Sequence, residues 1–333
     1  MTLRSPSIAG RRGGDGPGPG GWTARGRRAP PVLRPGHGPG RPSQDGLAAV
    51  KRWRQRAAFA VLGALTLLVL APLALIVAYL VVGGLPAISW EFLTRGPSNM
   101  MRSGGIFPAI AGTFLLVTGA SLVAVPLGVA AGLYLSEYAR PTLFTRLVRL
   151  AVVNLAGVPS VVYGLFGLSL FVVFLRMGVS VMAGSLTLGL LVLPVVISST
   201  EEAARNVPQS HRHASLALGA TRWSTVRHVV IPGAAPGILT GIILAVSRSA
   251  GETAPIMFTA AAFFLPRLPG SPFDPVMALP YHLYVLSTEV ARADPTLRLG
   301  TALVLLTLVL LSNLLAIVLR ARMRAKYGGG DET

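Results

Sequence analysis

The chain has 333 residues, a mean hydropathy of +0.62 and 13% charged residues, where a soluble globular protein carries about 25%. Its net charge is +18 and it has no cysteine, which excludes a disulfide framework and a thiolate metal site. The apolar residues fall in runs long enough to cross a bilayer, which makes this a polytopic membrane protein rather than a soluble domain.

Residues 1–56 form a basic N-terminal tail. Its first part is rich in Gly, Pro and Arg, as in Arg11-Arg12-Gly13-Gly14-Asp15-Gly16-Pro17-Gly18-Pro19-Gly20. Such a composition buries too little apolar surface to offset its ordering entropy, so the tail is expected to be disordered. It reads as a solvated cytoplasmic extension; an RNA- or lipid-binding tail is the rival reading. The first strongly apolar run begins near Ala57. That is too far in for an ordinary secretory signal peptide, and no small-residue cleavage site follows it. Lys51-Arg52-Trp53-Arg54-Gln55-Arg56 reads as a juxtamembrane anchor, with basic heads for anionic lipid and Trp53 for the interface.

Six spans are expected, each supplying the roughly 20 apolar residues that the hydrocarbon layer requires. They fall at about Ala57–Val82 (interrupted by Pro72), Phe107–Leu135, Leu147–Leu175, Val179–Ser199, Gly237–Phe264 and Leu297–Leu319. The third and fourth are joined by Arg176-Met177-Gly178 alone, which predicts a tight helical hairpin. Of the 30 Lys and Arg residues, 23 lie on one side of these spans, six on the other and one, Arg248, inside. The positive-inside rule therefore puts both termini and the 200–232 loop in the cytoplasm. Topology alone accounts for the basic excess, so no nucleic acid is expected as a partner. Membrane lipid is.

Pro and Gly recur within the spans, where small residues allow close helix packing. Two clusters add a polar side chain to a helix breaker at membrane depth. Gly157-Val158-Pro159-Ser160 and Gly251-Glu252-Thr253-Ala254-Pro255 are candidates for broken helix lining a path. The segment Leu265–Asp294 is rich in Pro and aromatics and reads as an extracytoplasmic connector along the membrane surface, or a docking site for an external partner.

Arg248 and Glu252 stand four apart and so share one helix face. A charge at the centre of a span costs about 2.5–3.5 kcal/mol on insertion scales, so two such groups call for a use or for mutual compensation. An anion site is one reading, since Arg offers a rigid fork of donors and keeps its charge. A structural ion pair is the other. In the loop, residues 211–219 are good helix formers with Gly219 placed as a C-terminal cap, a short exposed helix suited to a groove on a partner. Neither of the two lysines, Lys51 and Lys326, follows a G-x-x-x-x-G run, so the chain has no phosphate-binding loop of the Walker type. There is no H-E-x-x-H and no G-x-S-x-G, and His211 and His213 diverge on a helix. No hydrolytic or redox constellation is found.

His213-Ala214-Ser215-Leu216-Ala217-Leu218-Gly219, followed after nine residues by Val229-Val230-Ile231-Pro232, resembles the permease loop of ABC importers, E-A-A, three residues, Gly, nine residues, I-x-L-P. His213 stands where that family usually has Glu. The departure bears on the pairing of that Glu with the ATPase, not on docking as such. Further stretches are similar to phosphate importer permeases of the PstA family. They include Gly105–Thr113, Gly157–Gly167, Ser247-Arg248-Ser249-Ala250-Gly251-Glu252-Thr253-Ala254-Pro255 and Ala278-Leu279-Pro280-Tyr281-His282-Leu283-Tyr284. The Glu-Thr-Ala-Pro ending favours PstA over its sister family PstC.

The resemblance covers about Ala57 to Arg320 and implies an all-α, six-helix type I (MetI-like) importer permease fold. Residues 57–320 would be the transmembrane domain and 321–333 a cytoplasmic C-terminal tail. It also implies a PstC-like permease partner, two ATP-binding subunits and an extracytoplasmic phosphate-binding protein. ATP would be bound by the partner ATPase, with no cofactor in this chain. Inorganic phosphate would pass by alternating access along Arg248, Glu252, Thr253, Ser160 and Tyr163. The loop residues His213, Ala214, Ser215, Leu216, Gly219, Ala220 and Arg222 would couple to the ATPase. The alternatives are an importer permease for another oxyanion, such as sulfate or molybdate, and an ATP-independent secondary transporter.

Overall fold

The computed structural model describes residues 44–290 and 294–327, and its contacts divide the chain into residues 1–66 and 67–333. Most of the expected N-terminal tail lies outside the described residues. Its last part does not: helix α1 runs Gln44–Gly84, so residues 44–56 are helical where the composition predicted disorder. After Gly46 this stretch has neither Gly nor Pro, and helix elongation from an adjoining stable span costs no new nucleus.

A 3₁₀ turn, Leu85–Ala87, and a short helix α2, Trp90–Thr94, lead into a minimal antiparallel pair, β1 (Pro97–Ser98) and β2 (Ser103–Gly104). Helix α3 then runs Phe107–Glu137 and α4 runs Leu143–Ala156. Helix α5 (Ser160–Gly167) continues as a π-helical stretch to Phe174, and α6 spans Val181–Arg205. Three helices follow: α7 (Gln209–Ala217), the one-turn α8 (Arg222–Thr225) and, after a second π-helical stretch, α9 (Ile231–Gly251). The chain closes with α10 (Ala254–Thr259), α11 (Leu279–Thr288) and α12 (Pro295–Tyr327).

Among the described residues, five helical stretches are long and apolar enough to cross a membrane: Lys51–Ala87, Phe107–Glu137, Val181–Arg205, Arg222–Gly251 and Pro295–Arg322. The expected third span is different. It breaks at Gly157–Pro159 into α4 and the α5–π segment, bent by 101°. Pro159 is the cause, since it lacks an N–H and pushes the preceding residue out of the helical region. The bent pair counts as the sixth span only if its halves are taken together. The expected fifth span also stops early. Helix α9 ends at Gly251, Glu252 is extended (φ −73°, ψ 129°), and Pro255 starts α10 in its first turn. The hairpin between third and fourth spans is present, turned by Arg176 and Gly178 in the left-handed region (φ 53° and 69°) and closed by Ser180 capping α6.

Helices α3 and α6 form the centre of the second unit and approach closely through glycine. A Cβ at Gly132 would stand 2.7 Å from both Ile197 O and Thr200 Cβ, and one at Gly128 would stand 2.7 Å from Val196. One cluster at the start of α3 gathers Phe92, Met101, Ile106, Met277, Leu279 and Val285. There the Thr113 hydroxyl donates to Ala109 O at 2.8 Å and accepts from Leu279 N at 2.8 Å, tying α11 to α3. The segment from Leu265 is thus a packed connector carrying α11. At the other end of α6, Ala204, Val207, Val230, Ala234 and Ile238 pack together and carry α7.

Candidate functional site

Two constellations stand out, one at the end of the bundle that carries α7 and one where the broken helices meet. At the α7 end, Pro208 starts the helix in extended geometry (φ −56°, ψ 138°), and Gly219 stops it at φ +84°, with backbone bonds from Gly219 N to Leu216 O and from Ala220 N to Ser215 O. Ser215 meets the Thr225 hydroxyl at 2.9 Å, pinning α7 to α8. His213, Ala214, Leu216 and Arg222 are exposed, and Leu218 is 89% exposed at the tip beside the exposed Trp223. A cleft of about 360 Å³ opens between α7, α8 and the end of α3, lined by Glu137, Arg212, His213, Leu216 and Arg222 among others. An apolar tip beside an open polar cleft is a protein-docking surface in form.

The anchor of this surface is Arg212, in sequence only one of the cytoplasmic charges. It is buried, and its guanidinium donates to Glu137 at 2.8 Å and 3.2 Å, to Ala204 O at 2.7 Å and to Val207 O. One side chain therefore joins the end of α3, the last turn of α6 and α7. It adds a side-chain donor at the C-terminal end of α6, where Ala204 O also accepts from Val207 N at 3.2 Å. A second network lies nearby. Arg149 of α4 donates to Glu201 Oε1 at 2.7 Å and to Leu135 O at 2.8 Å, while Arg205 reaches the same Glu201 oxygen at 2.6 Å. Arg149 counted among the cytoplasmic charges between the second and third spans; the structure puts it at the ends of α3 and α6. The sequence signals were Glu137, a lone acid closing an apolar run, and the Glu201–Arg205 spacing.

At the other constellation, Arg248 Nε lies 3.4 Å from Glu252 Oε1, with side-chain exposures of 45% and 15%. Glu252 caps α9 and Thr253 precedes α10. Gly164 lets the two breaks converge: a Cβ there would stand 3.0 Å from Ala254 O and from Pro255 Cα. Helix α5 accordingly packs on α10, bringing Ser160 and Tyr163 to the same region as Thr253. The Tyr163 hydroxyl is engaged, donating to Leu155 O at 3.0 Å across the bend. Arg248 is partly exposed on the single chain, and Val161, Val162, Leu165 and Phe166 on α5 are exposed as well. Among the described residues no cluster of three or more metal-ligating side chains occurs.

The chain has relatives among known proteins. Residues 124–325 match the family of binding-protein-dependent transport system inner membrane components. The chain belongs to that family. It is 36% identical over 251 residues to a probable ABC transporter permease protein, YqgI, of Bacillus subtilis, covering 72% of this chain and 85% of that one. It is 37% identical over 252 residues to the probable phosphate transport system permease protein PstA of Methanocaldococcus jannaschii, covering 75% and 88%. In fold it resembles an inward-facing MetNI methionine ABC transporter chain (TM-score 0.50, 19% identity, 66% of this chain and 94% of that one). A bacterial importer of the acidic polysaccharide alginate is similar in the same way (TM-score 0.53, 15% identity, 81% and 97%). As a permease of this family the chain is a multi-pass membrane protein and a transport component rather than an ATPase. Its membership implies partners that supply ATP hydrolysis and substrate binding.

Proposed function

We propose that this permease is a subunit of an ATP-driven importer of inorganic phosphate in the cell membrane. It works by alternating access beside a second, PstC-like permease subunit. Two ATP-binding subunits dock on the α7 side of this pair, one of them at α7, and an extracytoplasmic phosphate-binding protein delivers substrate at the opposite end. ATP is held by the docked subunits. Both termini and the α7 end face the cytoplasm.

The observation that carries this reading is Arg248. A guanidinium 45% exposed on the flank of an apolar bundle is costly against lipid. It is explained when that flank faces a second subunit across a wet path, and a fixed fork of donors there recognises a tetrahedral oxyanion. Glu252, at 3.4 Å, balances the charge when the path is empty. The relatives named as phosphate permeases supply the choice of anion.

The test is ATP-dependent uptake of labelled phosphate by the reconstituted complex, wild type beside Arg248→Gln, with sulfate as competitor. Uptake that requires ATP, ignores sulfate and falls about 100-fold in the variant is expected, the loss of one charged transition-path contact. Sulfate moving in place of phosphate would leave the importer standing and change its substrate. For orientation, an impermeant maleimide should label Leu218→Cys in inverted vesicles and not in right-side-out ones. The native chain has no cysteine to interfere.

A further inference from the structure

Helix α4 is the part of the bundle that transport leaves unexplained. It has 14 residues, a length of about 21 Å, too short for a hydrocarbon layer of about 30 Å. Arg149, in its middle, touches Leu135 O in the last turn of α3 and Glu201 near the end of α6. The centre of α4 therefore sits at the level where two spans end. The 101° bend then carries the chain away from α4 along α5. With its centre at that level, α4 lies at the end of the bundle.

The two faces of α4 differ. Thr145, Val148, Arg149 and Val152 are buried or half-buried, and the helix packs against α6. Opposite them, Leu143, Leu147 and Leu150 form an exposed stripe with Phe144 beside it. Arg140 and Arg146 are exposed next to that stripe, and among the described residues neither makes an ion pair. An apolar stripe edged by unpaired arginines, level with the ends of spans, has the form of an interfacial helix. Its aliphatic residues enter the boundary layer, and its guanidinium groups reach phosphate headgroups.

We infer that α4 lies in the cytoplasmic leaflet of the membrane and binds anionic phospholipid through Arg140 and Arg146. The leaflet assignment rests on the proposed orientation; the lipid contact does not. Lipid bound here is linked through Arg149 to Glu201 and so to the helix that leads into α7.

The absence of cysteine makes single-site labelling direct. An environment-sensitive fluorophore on Leu147→Cys, in the assembled complex, is reconstituted with brominated lipids. Leu143→Cys, one turn away, is the second reporter if the first fails to assemble. Bromines near the headgroup should quench more than bromines near the chain end. Brominated phosphatidylglycerol should quench about threefold more than brominated phosphatidylcholine at equal fraction, an excess lost in Arg140→Gln/Arg146→Gln. Three results would overturn the inference: no quenching by any lipid, which means a protein covers this face; stronger quenching from the chain end, which means α4 crosses; or equal quenching by the two headgroups. Quenching needs no phosphate movement, so it fails or succeeds independently of the transport reading.

Discussion

Arg212 donates to both carboxylate oxygens of Glu137, at 2.8 Å from Nη2 and 3.2 Å from Nε, across 75 residues of chain. The same guanidinium donates to Ala204 O and Val207 O, so the end of α3, the last turn of α6 and α7 share this one group. Removing either partner leaves the other charge buried and unpaired. Arg212→Gln and Glu137→Gln should each destabilise the complex by about 3 kcal/mol, read as a fall in thermal midpoint in detergent. Combining them should cost less than the sum of the singles by about 1 kcal/mol or more. Additive costs would mean that the two side chains do not act as a pair.

Glu252 predicts selectivity. A protonated phosphate oxygen can donate a hydrogen bond to a carboxylate, and sulfate near neutral pH has no such proton. Glu252→Gln should therefore narrow the preference for phosphate over sulfate in competitive uptake. Because the pair with Arg248 is long and partly exposed, its loss should change thermal stability by less than about 1 kcal/mol. Unchanged discrimination in transport-competent vesicles would remove Glu252 from recognition.

Gly164 is the contact through which α5 and α10 approach. A methyl group there meets Pro255 Cα and Ala254 O at 3.0 Å and Phe258 Cδ2 at 2.9 Å, two of them backbone neighbours that cannot rotate away. Gly164→Ala should destabilise by about 1–3 kcal/mol and reduce uptake. Gly219 offers the contrast. Nothing lies within 4 Å of its absent Cβ, and its φ of +84° is the only obstacle. Gly219→Ala should cost about 1 kcal/mol, with the loss appearing as weaker coupling between ATP hydrolysis and uptake.

His282 on α11 predicts an acid dependence. It is buried, its Nδ1 has no hydrogen-bond partner, and burial lowers its pKa from 6.5 to about 4. The unfolded chain binds this proton more readily than the folded one between those values, so stability rises with pH across that window. Its contribution is complete above about pH 6.5 and is lost as pH falls toward 4, by at most roughly 3 kcal/mol. Thermal midpoints measured from pH 7 to pH 4 should fall more steeply for wild type than for His282→Gln. Parallel curves would place the acid sensitivity elsewhere.

Much of this architecture is legible in the residues. Pro159 and Pro255 mark both helix breaks, since a missing N–H acts locally and needs no tertiary information. Gly219 marks the end of α7 for the same local reason. Leu143–Ala156 and Ser160–Phe174 read as one span because their apolar content is similar. A run of apolar residues does not reveal that a 101° bend divides it. The Arg212–Glu137 pair was hidden because each residue alone looks like an ordinary charge at a span end. Only the return of the chain after 75 residues sets them together.

The close packing of α3 on α6 at Gly128 and Gly132 has a mechanical consequence. Two helices interlocked along their length and bolted together at one end by Arg212 cannot slide past each other, so they respond to a push on α7 as one stiff beam. Helix α6 has 25 residues and is about 37 Å long. A rotation of only about 10° around the α7 end sweeps its far end by roughly 6 Å, more than a full helical turn of about 5.4 Å. Small angular strokes at one surface of the membrane are thereby converted into displacements the size of a solute at the other.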